Sequence, residues 1–442
     1  MPAKMESAES FLGAYADFER AANTQPAWAK QLRQAAREHA LALGIPTTRH
    51  EEWRYTNVSS LAKRAHALAP AANADAALIT GHTWPALNGI VLTVLDGHFA
   101  PALSSAAALP SGVTACGLAE AIVKEHPAVQ AHLGRLARSS EAPFVALNTA
   151  FLRDGVFLHV PQGVAVDAPI HLLFVNTGGS DTVRHARSLL VFEAGSRATV
   201  LEHYTGTGAA PSLTNAVTET FVGPGAVVDH TKLQQESAAA WHIASSEALL
   251  GEKCDYAAHS ISLGGLLTRN DVNAKLDAEH VECTVNGFYV TEGDQHIDNH
   301  TLVDHAKPNG HSYEVYKGVL DERSVAVFNG KIFVREGAQK TDAKQDNKHL
   351  LLSRDAEVQT KPQLEIFADD VKCTHGAVVG QLDPNAVFYL RARGIGQTSA
   401  RRMLTFAFAE EVLGEIEHAG VRERVAELVR ARMAQAPSLR AS

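Results

Sequence analysis

The sequence predicts a mainly β protein: a β-helix core with helical regions at both ends. Three observations carry this. From about residue 151 short β-rich runs alternate with Gly-, Asp- and Asn-containing turns: GVFLHVPQG, PIHLLFVNTGG, SLLVFEAGSRATVLEHY and TETFVGPGAVVDHTKLQ. Turns recur at Ala194-Gly195-Ser196, Pro224-Gly225-Ala226, Glu252-Lys253-Cys254 and Ala278-Glu279-His280, with their middle residues 30, 28 and 26 apart. Periods of about 20–50 residues mark solenoids. Helical spacing is absent from the same stretch of about 240 residues. In a β-helix each coil buries alternate side chains against its neighbours. A β-sandwich or jelly roll is the competing architecture. The expected regions are a mainly helical one over 1–150, the β-helix over 151–396 and a helical one over 397–442.

Taken in order, residues 6–43 read as helix. Phe11, Tyr15 and Phe18 recur at helical spacing, as do Trp28, Leu32, Ala35 and His39. Gly44 and Pro46 end the second helix. Arg49-His50-Glu51-Glu52-Trp53-Arg54-Tyr55-Thr56 reads as a charged turn anchored by two aromatics. Residues 65–78 are Ala-rich and aperiodic, a loop or linker. Gly89–His98 is a strand closing in an Asp-Gly turn. Residues 117–138 return to helical spacing through Leu118, Ile122 and Val129, with Pro127 opening a new turn.

Within the coil, Val281, Cys283 and Val285 alternate with Glu282 and Thr284, so Cys283 faces inward; Cys254 is read as structural too. In the tail Leu404, Phe408, Val412 and Ile416 repeat every four residues, widened by Phe406 and Leu413. A second helix after Gly420 carries Val421, Val425, Leu428 and Val429. These stripes are expected to pack on the solenoid and cap its open end, or in part to dock a partner.

The composition is 45% hydrophobic and 20% charged, ordinary for a globular chain. A net charge of −9 without a basic run argues against nucleic-acid binding. No apolar run spans a membrane, the acid-bearing N-terminus does not read as a signal peptide, and four scattered cysteines suit a cytoplasmic protein with free thiols. The sequence lacks G-x-x-x-x-G-K-[ST], so no nucleotide site of its own is expected. It also lacks G-x-S-x-G and H-E-x-x-H.

Chemistry concentrates in Thr360–Gly396. On an extended backbone Cys373 and His375 share a face, with Cβ atoms about 6.6 Å apart. A metal taking sulfur at about 2.3 Å and nitrogen at about 2.0 Å bridges that gap. Two donors do not complete a four-coordinate site, so the others come from elsewhere in the chain, a partner or sulfide. The alternative is a buried Cys beside an ordinary His. Lys372, or metal binding itself, would favour the thiolate. A second candidate is Asp294, His296, Asp298 and His300, on one strand face opposite Ile297, with His305 and His311 following. Such a face holds a transition metal, through His296 and His300 above all, or is simply a solvated outer surface.

The run DDVKCTHGA, followed by GQLD and FYLRARGI, resembles the SufD family of iron–sulfur cluster assembly proteins. Residues 49–56 resemble a segment near the start of the same family. The paralogous SufB scaffold carries His-Glu-Ala near this point; here Gly376 and Ala377 follow His375, as in the SufD branch. The resemblance implies a right-handed parallel β-helix and a complex with SufB and the ABC-type ATPase SufC, which binds ATP. It places Cys373 and His375 at the SufB interface, where iron or a transient Fe–S cluster is handled, and likens the tail to the part that binds SufC. It further implies a scaffold that is not an enzyme, and a chain that alone is a candidate homodimer. The resemblance assigns no role to the 294–300 face. Competing functions are a β-helix polysaccharide lyase or hydrolase, and a metal-free interaction protein.

Overall fold

The computed structural model describes residues 7–22, 25–64, 66–105 and 109–440. The expectations for the first six residues and for residue 65 lie outside the described set. Among the described residues the β strands form two sheets of ten strands each, and from strand Gly155–Val160 onward successive strands alternate between them. Every pairing among the strands from Trp241 to Gly380 is parallel and free of register shifts. The result is a parallel β-helix of about eight coils.

The turns explain the period. At one of the two turns of successive coils a residue lies in the left-handed region: Gly163, Gly195, Gly225, Lys253, His280, Asn309 and Lys340. Most of these N–H groups donate to a turn carbonyl of the next coil, as Gly195 does to Pro224 at 2.8 Å and Lys253 to Glu279 at 3.1 Å. The fourth expected turn is thereby corrected by one place, since His280 and not Glu279 carries the positive φ.

Inward side chains fill the space between the sheets, among them Leu172, Val200, Val228, Val285 and Phe328. Cys283 belongs to this core, as read from the alternation, and Cys254, read only as structural, does too. Burial pushes the Cys254 thiol up to about 12, so it is inert.

The N-terminal helices Glu9–Leu12, Tyr15–Ala21 and Ala27–Leu43 pack on the outer face of one sheet. Phe11, Tyr15 and Phe18 are buried as expected, against Phe144, Phe151 and the sheet residues Val183 and Leu213. The third helix is rotated from the expected stripe: Ala29, Arg33, Ala36 and Ala40 are buried, while Trp28 and Leu32 flank them and Ala35 is exposed. Small residues allow the close approach that larger ones would block. Helices Leu118–Val123 and Pro127–His132 bury Leu118, Ile122 and Val129. The Asp96-Gly97 turn closes a hairpin of Ile90–Leu95 with His98–Phe99. The stretch read as a loop over 65–78 includes a two-residue strand, Ala67–Leu68, paired with Thr182–Val183.

The tail departs furthest from expectation. Helices Gln397–Leu413 and Ala419–Gln435 lie along the outside of the second sheet and leave the open end uncovered. The reason is that Leu233, Ile261, Phe288 and Val319 give that flank an apolar surface. Polar clamps add to it: Asp229 accepts the Glu417 N–H at 2.9 Å, Asp321 accepts the Ser438 N–H at 2.7 Å, and Arg432 pairs with Glu292 at 2.7 Å. The buried stripe runs through Thr405, Ala409, Val412 and Leu413, with Leu404 and Phe408 half-buried. Among the described residues no helix is long and apolar enough to cross a membrane.

Candidate functional site

The last coil consists of strands Glu357–Ile366 and Lys372–Gly380, one at the edge of each sheet. Cys373 stacks in register on Ala343, and His375 on Gln345; both of those neighbours are buried inward residues. Cys373 and His375 therefore share the inward face, as the alternation requires. With no further coil, that face opens to solvent. Cys373 is half-buried against Ala343, Val334 and Leu364, and His375 is exposed. Burial, with the nearby Asp342 carboxylate, pushes the Cys373 thiol up. Lys372 does not bring it down, and a bound metal would favour the thiolate. On the last coil and on the helix Pro384–Arg391 that follows it, large apolar side chains are exposed, from Ile366 at 37% to Phe388 at 70%, with Phe367, Val378, Val379 and Tyr389 between. Unpaired strand edges are features that natural proteins cover.

A thiol and an imidazole on one face fit iron. Among the described residues no group of three or more His, Cys, Asp or Glu side chains is arranged to hold a metal ion. Any metal held by Cys373 and His375 would need further ligands beyond these two.

The second candidate lies elsewhere. His296, Asp298 and His300 share the outward face of strand His296–His305, but Asp294 precedes that strand and pairs with Arg323. The face is not a solvated surface. Residues 49–56 lie across it. Thr56 Oγ1 donates to Asp298 at 2.6 Å and meets His296 Nε2 at 2.9 Å. Arg269 donates to Asp298 at 2.7 Å and stacks 3.8 Å over the Trp53 ring. His300 bridges Asp298 at 3.0 Å and Glu52 at 3.2 Å. His296 and His300 are thus occupied in fastening the N-terminal segment to the coil. His305 is buried against Ser312, and His311 is exposed beside Glu282. Sequence reasoning missed Thr56, Glu52 and Arg269, because their partners lie over 200 residues away and no local pattern announces them.

Burial opposes the charge on His300, but the Asp298 carboxylate and the hydrogen bonds outweigh it and hold the imidazolium up at about 9. A raised histidine contributes its stabilisation fully below its ordinary value near 6.5, and loses it as the pH climbs through about 9. The amount is on the order of 3 kcal/mol. Thermal unfolding of the wild type should therefore weaken between neutral pH and pH 10 more steeply than that of His300→Gln. Parallel pH profiles would count against this network.

A family model described as "SUF system FeS cluster assembly, SufBD core domain" matches residues 174–408, and one for the "SufBD protein N-terminal region" matches residues 5–172. The chain belongs to the SufBD family. It is 34% identical to the iron–sulfur cluster assembly protein SufD of Escherichia coli, over 88% of this chain and 89% of that one. A SufBD family protein of Synechocystis is 32% identical over 90% of each chain. SufD of Bacillus subtilis is 26% identical over 92% of this chain and 94% of its own. In this SufBD chain the two matches meet within strand Ala165–Asn176, so the N-terminal match already includes the first strands of the coil. The role is in SUF iron–sulfur cluster assembly, and the polysaccharide-enzyme alternative falls away.

Proposed function

We propose that the chain is a scaffold subunit that pairs with the paralogue SufB and the ATPase SufC, and that its open last coil is the face turned toward SufB. One observation carries the reading: Cys373 and His375 stand on the inward face of an uncovered coil, and Ile366 and Val379 are exposed on the same face. A second coil end set against this one would pair the free edges, bury Ile366 and Val379 and bring further donors to the two present here. Iron, or a nascent cluster, is then the cargo held between subunits. The chain has no turnover of its own. Movement driven by ATP on SufC would open and close the shared face, with SufC seated near the tail. Support for that seat comes from helix Pro384–Arg391, which buries none of its residues and exposes Phe388 and Tyr389.

Co-expression with SufB and SufC tests this. A three-component complex that carries iron is expected to co-purify. Val379→Lys places an ammonium on the inward face beside the free edge and should abolish capture of SufB, while leaving the isolated chain as stable as the wild type. Undiminished capture by this variant would place the SufB contact elsewhere.

A further inference from the structure

His375 heads a file of inward residues. It stacks in register on Gln345, and Gln345 on Glu314. Gln345 and Glu314 are each 1% exposed. Glu314 accepts the Thr301 hydroxyl on Oε1 at 2.5 Å and the Gln345 amide N–H on Oε2 at 2.8 Å. The threonine hydroxyl can give or take a proton at Oε1, so Oε2 accepts from the amide whether Glu314 is charged or neutral. This decides how the amide is turned. Its nitrogen is tied to the coil below, and its oxygen is left over.

That oxygen, Gln345 Oε1, is buried and has no hydrogen-bond partner among the described residues. Leaving a buried acceptor unmatched costs about 1–3 kcal/mol. The adjacent coil lies about 4.8 Å away, and the residue it sets in register with Gln345 is His375. Its ring carries an N–H in either neutral tautomer. The backbone beyond His375 is fixed as well: Asn347 Nδ2 donates to the Gly376 carbonyl at 3.2 Å, and Thr360 donates to Asn347 Oδ1 at 2.7 Å.

We propose that Gln345 is a positioning residue for His375: its carbonyl oxygen accepts one ring N–H, selects the tautomer and leaves the other ring nitrogen free beside Cys373 at the open end. Glu314 and Thr301 hold Gln345 in turn. The inference builds on the reading of His375 as a donor to iron or a nascent cluster. A partner on the second ring nitrogen is the usual means of aiming a metal-binding histidine, and its loss typically costs about 10–100-fold in affinity or activity.

The test is ¹⁵N NMR of the full-length, metal-free chain with labelled histidine, His375 being assigned by its absence in His375→Gln. The wild type is expected to show a single neutral tautomer. Gln345→Met keeps the side-chain length without the acceptor, and should give the two-tautomer mixture of a free imidazole with the other histidine signals in place. Gln345→Asn, which draws the acceptor back by one methylene and keeps the site polar, should give the same mixture and serves if the first variant folds poorly. A mixture in the wild type, or one unchanged tautomer in both variants, would overturn the proposal. Because no metal is present, that failure would strike the positioning role alone. Normal cluster maturation without Cys373 or His375 would strike the underlying reading instead.

Discussion

Replacing Glu219 by Ala is expected to destabilise the chain by about 3–5 kcal/mol. Glu219 and Arg187 are wholly buried and meet at 2.5 Å. The same carboxylate accepts three backbone N–H groups, those of Gly134, Leu136 and Ala137, at 2.8, 2.8 and 3.1 Å. It is thereby the tie between the coil and the segment that follows Pro127–His132. Arg187 also donates to Asn148 and Thr149 on helix Pro143–Ala150, and Asn148 donates in turn to the carbonyls of Ala186 and Asn215. Truncation of Glu219 leaves a guanidinium that does not give up its proton, with no counter-charge and no water. Three N–H groups lose their acceptor at the same time. Chemical denaturation measures the loss, and hydrogen exchange should place the earliest opening at residues 134–150. A loss under about 1 kcal/mol, the scale of an exposed pair, would mean that this carboxylate does not hold the two regions together.

The coil was readable because one of its two turns demands a left-handed residue in each repeat, and Gly195 and Gly225 advertise that need. Where Lys253 and His280 fill the same place the signal weakens, and the reading slipped by one residue at Glu279. Alternation was enough to put Cys373 and His375 on one face. It could not say that the face stays open, which depends on the coil ending there and on where the tail goes. The apolar stripe of the tail was visible, but hydrophobic patterning marks large side chains. The most deeply buried positions include Thr405 and Ala409, where helix and coil approach closely. Residues 49–56 looked like a plain charged turn because the groups that give them meaning, Arg269 and Asp298, are distant in sequence.

The second large effect concerns function and should leave the fold untouched. Cys373 is half-buried and His375 is exposed, so removing either side chain disturbs little packing, and stability should move by about 1 kcal/mol or less. Both are nevertheless expected to be required. A thiolate is the ligand that iron–sulfur chemistry favours. In the proposed arrangement Cys373 and His375 are the two donors that the chain brings to the shared face, so losing one would halve its contribution. Since outer partners of metal ligands alone cost about 10–100-fold, loss of a donor should reduce cluster supply at least tenfold. The direct measurement is the activity of iron–sulfur enzymes in cells that depend on this chain for their clusters, carrying Cys373→Ala or His375→Ala, with entry of each variant into the complex checked by co-purification. Intact complexes with maturation lowered at least tenfold in both variants are predicted; intact complexes with wild-type maturation in both would contradict the account.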